Sequence, residues 1–303
     1  MTIFIPKPEK QQFYRPSADE RVDPLLQCAQ QGKVVRKVAG DMLYIENNGV
    51  RIAYTDIGQV GKPPILLLHG LSLDSTSLAA QASYLSNTHR TIVPDLRGHG
   101  DSDAPLSSYE VPVFARDLKA LCDHLGVTRL VVVGHSMGGN IALSLAQLYP
   151  ALVSAVCFID SALFMPEATK QIFAAQCEEA GRTGGMITLC RTVLHSLCLP
   201  EESLSQRLIE ASKVPEYVIA SAMPAHTVGF DSHSVARGCT VPLAYIHSGM
   251  PFVDLDALRS ACPQIRTAAT LGAGHLSPLE VPDQINAMLS RFLALISSKE
   301  NPS

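Results

Sequence analysis

The sequence predicts an α/β protein whose mostly parallel, eight-stranded sheet is flanked by helices. Three observations carry that reading. The runs Pro64 to Leu68, Leu130 to Val133 and Val153 to Ile159 are apolar without alternation, as strands buried on both faces are. An amphipathic stretch, Val111 to Leu125, lies between two of them. The 303 residues are 47% hydrophobic and 17% charged, enough for one large α/β domain or two small ones and against a disordered chain.

Composition also excludes function classes. A net charge of −4 gives no electrostatic reason to expect nucleic acid or an anionic membrane as partner. The eight cysteines form no C-x-x-C pair, and Cys122, Cys157, Cys190 and Cys198 sit in apolar runs as small hydrophobes do. The first residues have no uninterrupted apolar stretch and no small-residue cleavage site, so no secretory signal is expected. No run approaches the length of a membrane span, because Asp160 interrupts the longest, Ala151 to Met165. A cytoplasmic, reducing setting follows as the default, and a homodimer stays open.

Taken in order, residues 1–40 are broken by Pro6, Pro8, Pro16 and Pro24 and are expected to form an extension lying on a domain surface. Met42 to Ile45 and Val50 to Tyr54 flank Asn48-Gly49, a two-residue hairpin signal. Pro64 to Leu68 is the third strand and ends in His69-Gly70-Leu71. Arg90 to Pro94 is the fourth and runs into DLRGHGDSD, Asp95 to Asp103. Val111 to Leu125 is the helix that leads to the fifth strand.

That fifth strand, Leu130 to Val133, is followed at once by Gly134-His135-Ser136-Met137-Gly138 and then by a helix-forming stretch through Leu148. Strand, glycine-bounded serine and helix make G-x-S-x-G a candidate nucleophile elbow. The serine backbone must turn sharply to lift its hydroxyl above the sheet edge, and residues without a Cβ let strand and helix pack that closely. The amide of Met137 opens the helix, where unpaired N–H groups and the positive dipole end could hold a developing oxyanion. Val153 to Ile159 is the sixth strand, Val241 to Ile246 the seventh and Arg266 to Leu271 the eighth, with a closing helix over Pro282 to Leu295.

The chain resembles the α/β-hydrolase family. The HG turn after strand three, the DLRGHGDSD loop after strand four and the GHSMGG elbow after strand five come in family order, and the likeness covers about residues 41–296. It implies a core of residues 41–160 and 239–303 with a helical cap, 161–238, inserted after strand six. It implies a base at His275, in the glycine-rich loop after the last strand, and a second oxyanion amide at Leu71, after the HG turn. His69, His99 and His135 are read as structural, pinning their own turns through backbone hydrogen bonds.

The triad acid departs from the commoner family pattern. After strand seven the family places Gly-x-x-Asp, but here Phe252 stands where that aspartate belongs. Asp254 and Asp256 follow at the start of a helix, where a carboxylate is equally an amino-terminal cap. Asp160 ends strand six, the place a minority of the family uses, and a carboxylate closing an apolar strand needs a partner to justify its burial. Asp160 is preferred, with Asp254 and Asp256 left open.

No phosphate loop, dinucleotide fingerprint or metal-ligand spacing occurs, and no cofactor or metal is implied. His226 and His233 are expected to face solvent rather than to pair on a metal. The chain has no tryptophan, so the cap should offer an aliphatic, Phe- or Met-lined pocket. The expected function is a serine hydrolase on a small to medium hydrophobic carboxylic ester, with lactone and thioester open. Ser136 attacks, His275 relays the proton, Asp160 orients it, and Leu71 and Met137 hold the oxyanion. Two alternatives stand beside it: a carbon–carbon bond hydrolase of the meta-cleavage type, and a receptor-like homologue without turnover.

Overall fold

The computed structural model describes residues 41–58, 62–198, 208–210, 212–248 and 253–300, so the expected 1–40 extension lies outside it. The chain enters the sheet through a hairpin of β1 (Leu43–Asn47) and β2 (Val50–Gly58), with Asn47 opposite Val50. Asn48 and Gly49 close it at φ 51° and 77°, the left-handed pair that a tight two-residue turn requires.

From there the sheet is β1-β2-β4-β3-β5-β6-β7-β8, with β3 (Ile65–Leu68), β4 (Arg90–Pro94), β5 (Leu130–His135), β6 (Val153–Ile159), β7 (Leu243–His247) and β8 (Arg266–Ala269). Only β1 and β2 run antiparallel to their neighbours; from β4 onward all pairings are parallel. This is the expected fold class.

The unalternating strands follow from helices on both faces. Leu66, Leu68, Leu130 and Val132 pack on one side with α2 (Val111–His124) and α3 (Met137–Leu148). Ile65, Leu67, Val131 and Val133 pack on the other with α1 (Ala79–Ser86) and α10 (Pro282–Glu300). Each fully buried Val, Leu or Ile stabilises by roughly 1.5–3 kcal/mol, so neither face tolerates a polar residue in these runs.

Between β6 and β7 the described residues are helical: α4 (Glu167–Thr183), α5 (Met186–Leu197), α6 (Glu216–Thr227) and α7 (Ser232–Arg237). The carboxylate of Glu216 accepts from the amides of Met186 and Ile187 at 2.6 and 3.1 Å, so the start of α6 caps the start of α5. Two bonds tie α6 to the loop before α2: the Tyr109 amide donates to Ser221 Oγ at 3.1 Å, and the Tyr217 hydroxyl donates to the Ala104 carbonyl. After β7 come α8 (Leu255–Ala261), β8, and the short α9 (Ser277–Glu280) before α10.

Candidate active site

The parallel strands raise their carboxyl ends to one edge, the place where ligands bind in open α/β sheets. At the end of β5, Ser136 takes φ 53° and ψ −121°, a left-handed backbone forced on a non-glycine residue. Its amide donates to the Ile159 carbonyl of β6 at 2.9 Å, which fixes the turn from the neighbouring strand. Helix α3 then leaves so close to β5 that a Cβ on Gly134 would collide with the Gly138 carbonyl, and one on Gly138 with the Leu68 carbonyl. The glycines of G-x-S-x-G are therefore required by backbone-to-backbone approach.

His275 comes from the loop between β8 and α9. Its Nε2 lies 3.0 Å from Ser136 Oγ. Its main chain is held on both sides: the amide donates to the Leu197 carbonyl at 2.8 Å, and the carbonyl accepts from His135 Nε2 at 2.8 Å. The residue beside the serine thus positions the imidazole that faces the serine.

Asp160, fully buried at the end of β6, also has a left-handed backbone, φ 44°. Its Oδ1 accepts from the Ser248 amide at 2.9 Å and the Ser248 hydroxyl at 3.2 Å, and its Oδ2 from the Ser277 hydroxyl at 3.4 Å. Asp160, Ser136 and His275 line one pocket. Asp254 does something else: exposed, it caps α8 by accepting from the amides of Asp256 and Ala257 at 3.1 and 2.9 Å. Asp256 is exposed and pairs with Arg259.

The turn after β3 abuts the elbow. A Cβ on Gly70 would sit 3.1 Å from Ser136 Cβ and 3.2 Å from His135 Nδ1. Leu71 follows it and lines the pocket, while Met137 is the first residue of α3, where a helix leaves amides without intrahelical acceptors. His69 underpins this turn. Its Nε2 accepts from the Leu96 amide at 3.0 Å, so its proton sits on Nδ1, which donates to the Gly70 carbonyl at 2.8 Å. His99 Nδ1 donates to the Arg97 carbonyl at 2.9 Å.

The sequence reading of His226 and His233 is corrected. Neither is solvent-facing: His226 is 6% exposed and lines the pocket, and His233 is half-buried with its ring centroid 4.0 Å from that of Phe164. For His226 the reason lies in α6, which packs against α2, α4 and α5; His233 sits on α7, which packs against α3. On α6 the buried residues Val218, Ile219, Ala222 and Met223 form one face that includes His226, while Tyr217 and Ala220 on the other face are exposed.

Burial dominates the electrostatics. It pushes the Asp160 carboxyl up to about 7, opposed by the Ser248 and Ser277 hydrogen bonds to its charged form and aided by Glu280. It holds the His275 imidazole well below its usual range, with His135 and His226 adding to the fall. His135 and His226 are each lowered to about 4 by burial, against a hydrogen bond to a backbone carbonyl. The imidazole facing Ser136 is therefore neutral at pH 7, the form that can take a proton. The cavity has a volume of about 60 Å³, and Met165, Phe173, Val193, Leu194 and Met223 supply its apolar wall. Among the described residues no group of three His, Cys, Asp or Glu side chains converges as a metal site.

A family profile described as alpha/beta hydrolase fold matches residues 63–181. Among curated relatives, Epoxide hydrolase 4 of Mus musculus is 36% identical over 118 residues, 38% of this chain and 33% of that protein. The chain thus spans about a third of the length of the first curated relatives it matches. Esterase YbfF of Escherichia coli (strain K12) is 28% identical over 253 residues, 80% of this chain and 97% of that one. Among solved structures, the enol-lactonase from Burkholderia xenovorans LB400 superposes with a TM-score of 0.74 at 25% identity, covering 83% of this chain and 100% of that one. No helix among the described residues is long and apolar enough to cross a membrane.

Proposed function

We propose that this protein, which has the α/β-hydrolase fold, is a serine hydrolase that cleaves a small to medium hydrophobic carboxylic ester or lactone. The observation that carries the reading is the 3.0 Å approach of His275 Nε2 to Ser136 Oγ at a strained elbow beneath an apolar pocket. His275 takes the proton as Ser136 Oγ attacks the carbonyl, and returns it to the leaving alcohol. Asp160 stabilises the imidazolium, and the amides of Leu71 and Met137 receive the oxyanion. Water then attacks the acyl-enzyme by the same relay in reverse. The inserted helices act as a cap that shields this exchange from bulk solvent.

Relatives named as epoxide hydrolases raise a second chemistry, which the elbow residue disfavours. A serine oxygen that opened an epoxide would leave an ether on the enzyme, whereas an acyl group leaves an ester that water can cleave. A fluorophosphonate probe should label wild-type protein and not Ser136→Ala, and short p-nitrophenyl esters should turn over. A protein that remains unlabelled and turns over a styrene-type epoxide or a ring-fission diketone instead would replace the ester reading. One that does none of these would be receptor-like.

A further inference from the structure

Beyond the residues assigned to the ester chemistry, the pocket contains one polar group whose bonding is incomplete. His226 Nδ1 donates to the Ala222 carbonyl one turn earlier at 2.8 Å, which places the proton on Nδ1 and leaves a lone pair on Nε2. Nε2 has no partner among the described residues, and the ring, almost wholly buried, borders the cavity. The ring is also fixed in place. Asn140 of the elbow helix donates from Nδ2 to the His226 carbonyl at 2.9 Å, so the helix that begins at Ser136 sets the position of His226.

We infer that the natural substrate carries a hydroxyl or N–H group on its otherwise apolar part and that His226 Nε2 accepts a hydrogen bond from it. This rests on the reading of Ser136 as nucleophile toward an ester. A pure hydrocarbon chain would displace water from the pocket and strand this acceptor against Met223 and its apolar neighbours. A donor on the substrate satisfies it, and a site built around such a bond rejects the analogue lacking the donor. His226 is in this view a specificity residue. Burial keeps it neutral at pH 7, so it recognises a donor and not an anion.

The test walks a single hydroxyl along the acyl chain of p-nitrophenyl alkanoates and, in a second arm, along the alcohol of alkyl butanoates. Wild-type kcat/KM should peak at one hydroxyl position, about tenfold above its neighbours, the effect of one well-placed hydrogen bond. His226→Leu should flatten that peak, and His226→Gln, which retains an acceptor, should keep much of it. Normalising to the unsubstituted ester cancels differences in active enzyme. A flat wild-type walk in both arms overturns the inference, as does a peak that survives in His226→Leu; in either case turnover of the unsubstituted esters leaves the ester reading standing. Absence of turnover on every ester, with no fluorophosphonate label on Ser136, removes the ester reading and this inference with it.

Discussion

Ser248 grips the carboxylate of Asp160 twice, its amide reaching Oδ1 at 2.9 Å and its hydroxyl the same atom at 3.2 Å. The two residues lie 88 positions apart in the chain and meet because β6 and β7 end side by side. Both bonds favour the charged carboxylate, against a burial that favours the neutral acid and holds it up to about 7. His275 is held well below its usual range, so under the proposed mechanism the proton that limits activity on the acid side is the one on Asp160. With an uncharged ester, kcat/KM should rise through an apparent value near pH 7. Ser248→Ala removes one stabilising bond and should move that value upward. A downward or absent shift in the pH–rate profile would contradict the assignment.

Asp160→Asn should lower kcat by about 10³–10⁴-fold, by analogy with the serine-protease triad. Stability should move the other way. The Asp160 pKa is raised on folding, so its favourable contribution is complete below pH 4 and is lost as pH rises through about 7. Asp160→Asn should therefore be more stable than wild type at pH 8, by about 2–4 kcal/mol, and similar at pH 4. Asp254→Asn keeps a side chain that can cap α8 and should leave both quantities near wild type. Thermal melts at the two pH values, with kinetics alongside, check all of this.

Ser136 pays in backbone strain for the place of its hydroxyl. Ser136→Gly should relieve that strain and stabilise the fold by about 1 kcal/mol after the added entropy of glycine in the unfolded chain. Ser136→Ala keeps the strained backbone and should melt with wild type. Both should lose about 10⁴-fold or more in kcat. Denaturant midpoints that place the alanine variant above the glycine variant would count against the strain.

The cavity of about 60 Å³ limits the group it takes. One water needs roughly 10–15 Å³ of such volume, so it suits about four to six heavy atoms. Along p-nitrophenyl acetate to dodecanoate, kcat/KM should grow by about 0.8 kcal/mol per methylene and level off near butanoate to hexanoate. A flat series, or a preference for anionic esters, would remove the apolar pocket from the account.

Most of the frame was legible because its signals are local. Val153–Ile159 is the sixth strand with the bounds its apolar run suggested, and Asn48-Gly49 closes the first hairpin as its residue types require. Ser136 is singled out by its glycine-bounded setting between strand and helix, and His275 by the family resemblance, which places a base in the Gly272-Ala273-Gly274-His275 loop. Helix α1, AAQASYLS, was not anticipated, since its small and polar residues give hardly any apolar periodicity. The roles of Ser248 and Ser277 escaped for another reason. A serine that supports a carboxylate 88 or 117 positions away has no neighbouring residue to announce it. His226 is misread from the sequence because a lone histidine between Ala225 and Thr227 does not reveal that it falls on the buried face of its helix, beside Ala222 and Met223.

Three of the hydrogen bonds on α6 tie it to the sheet-bearing part of the molecule: Asn140 to the His226 carbonyl, the Tyr109 amide to Ser221, and Tyr217 to the Ala104 carbonyl. These attachments lie at different points along the helix, so lifting it as a body means breaking them together. Together they make α6 a fixed jamb in the roof over Ser136. The jamb carries His226, and its geometry therefore stays constant while substrate and product come and go.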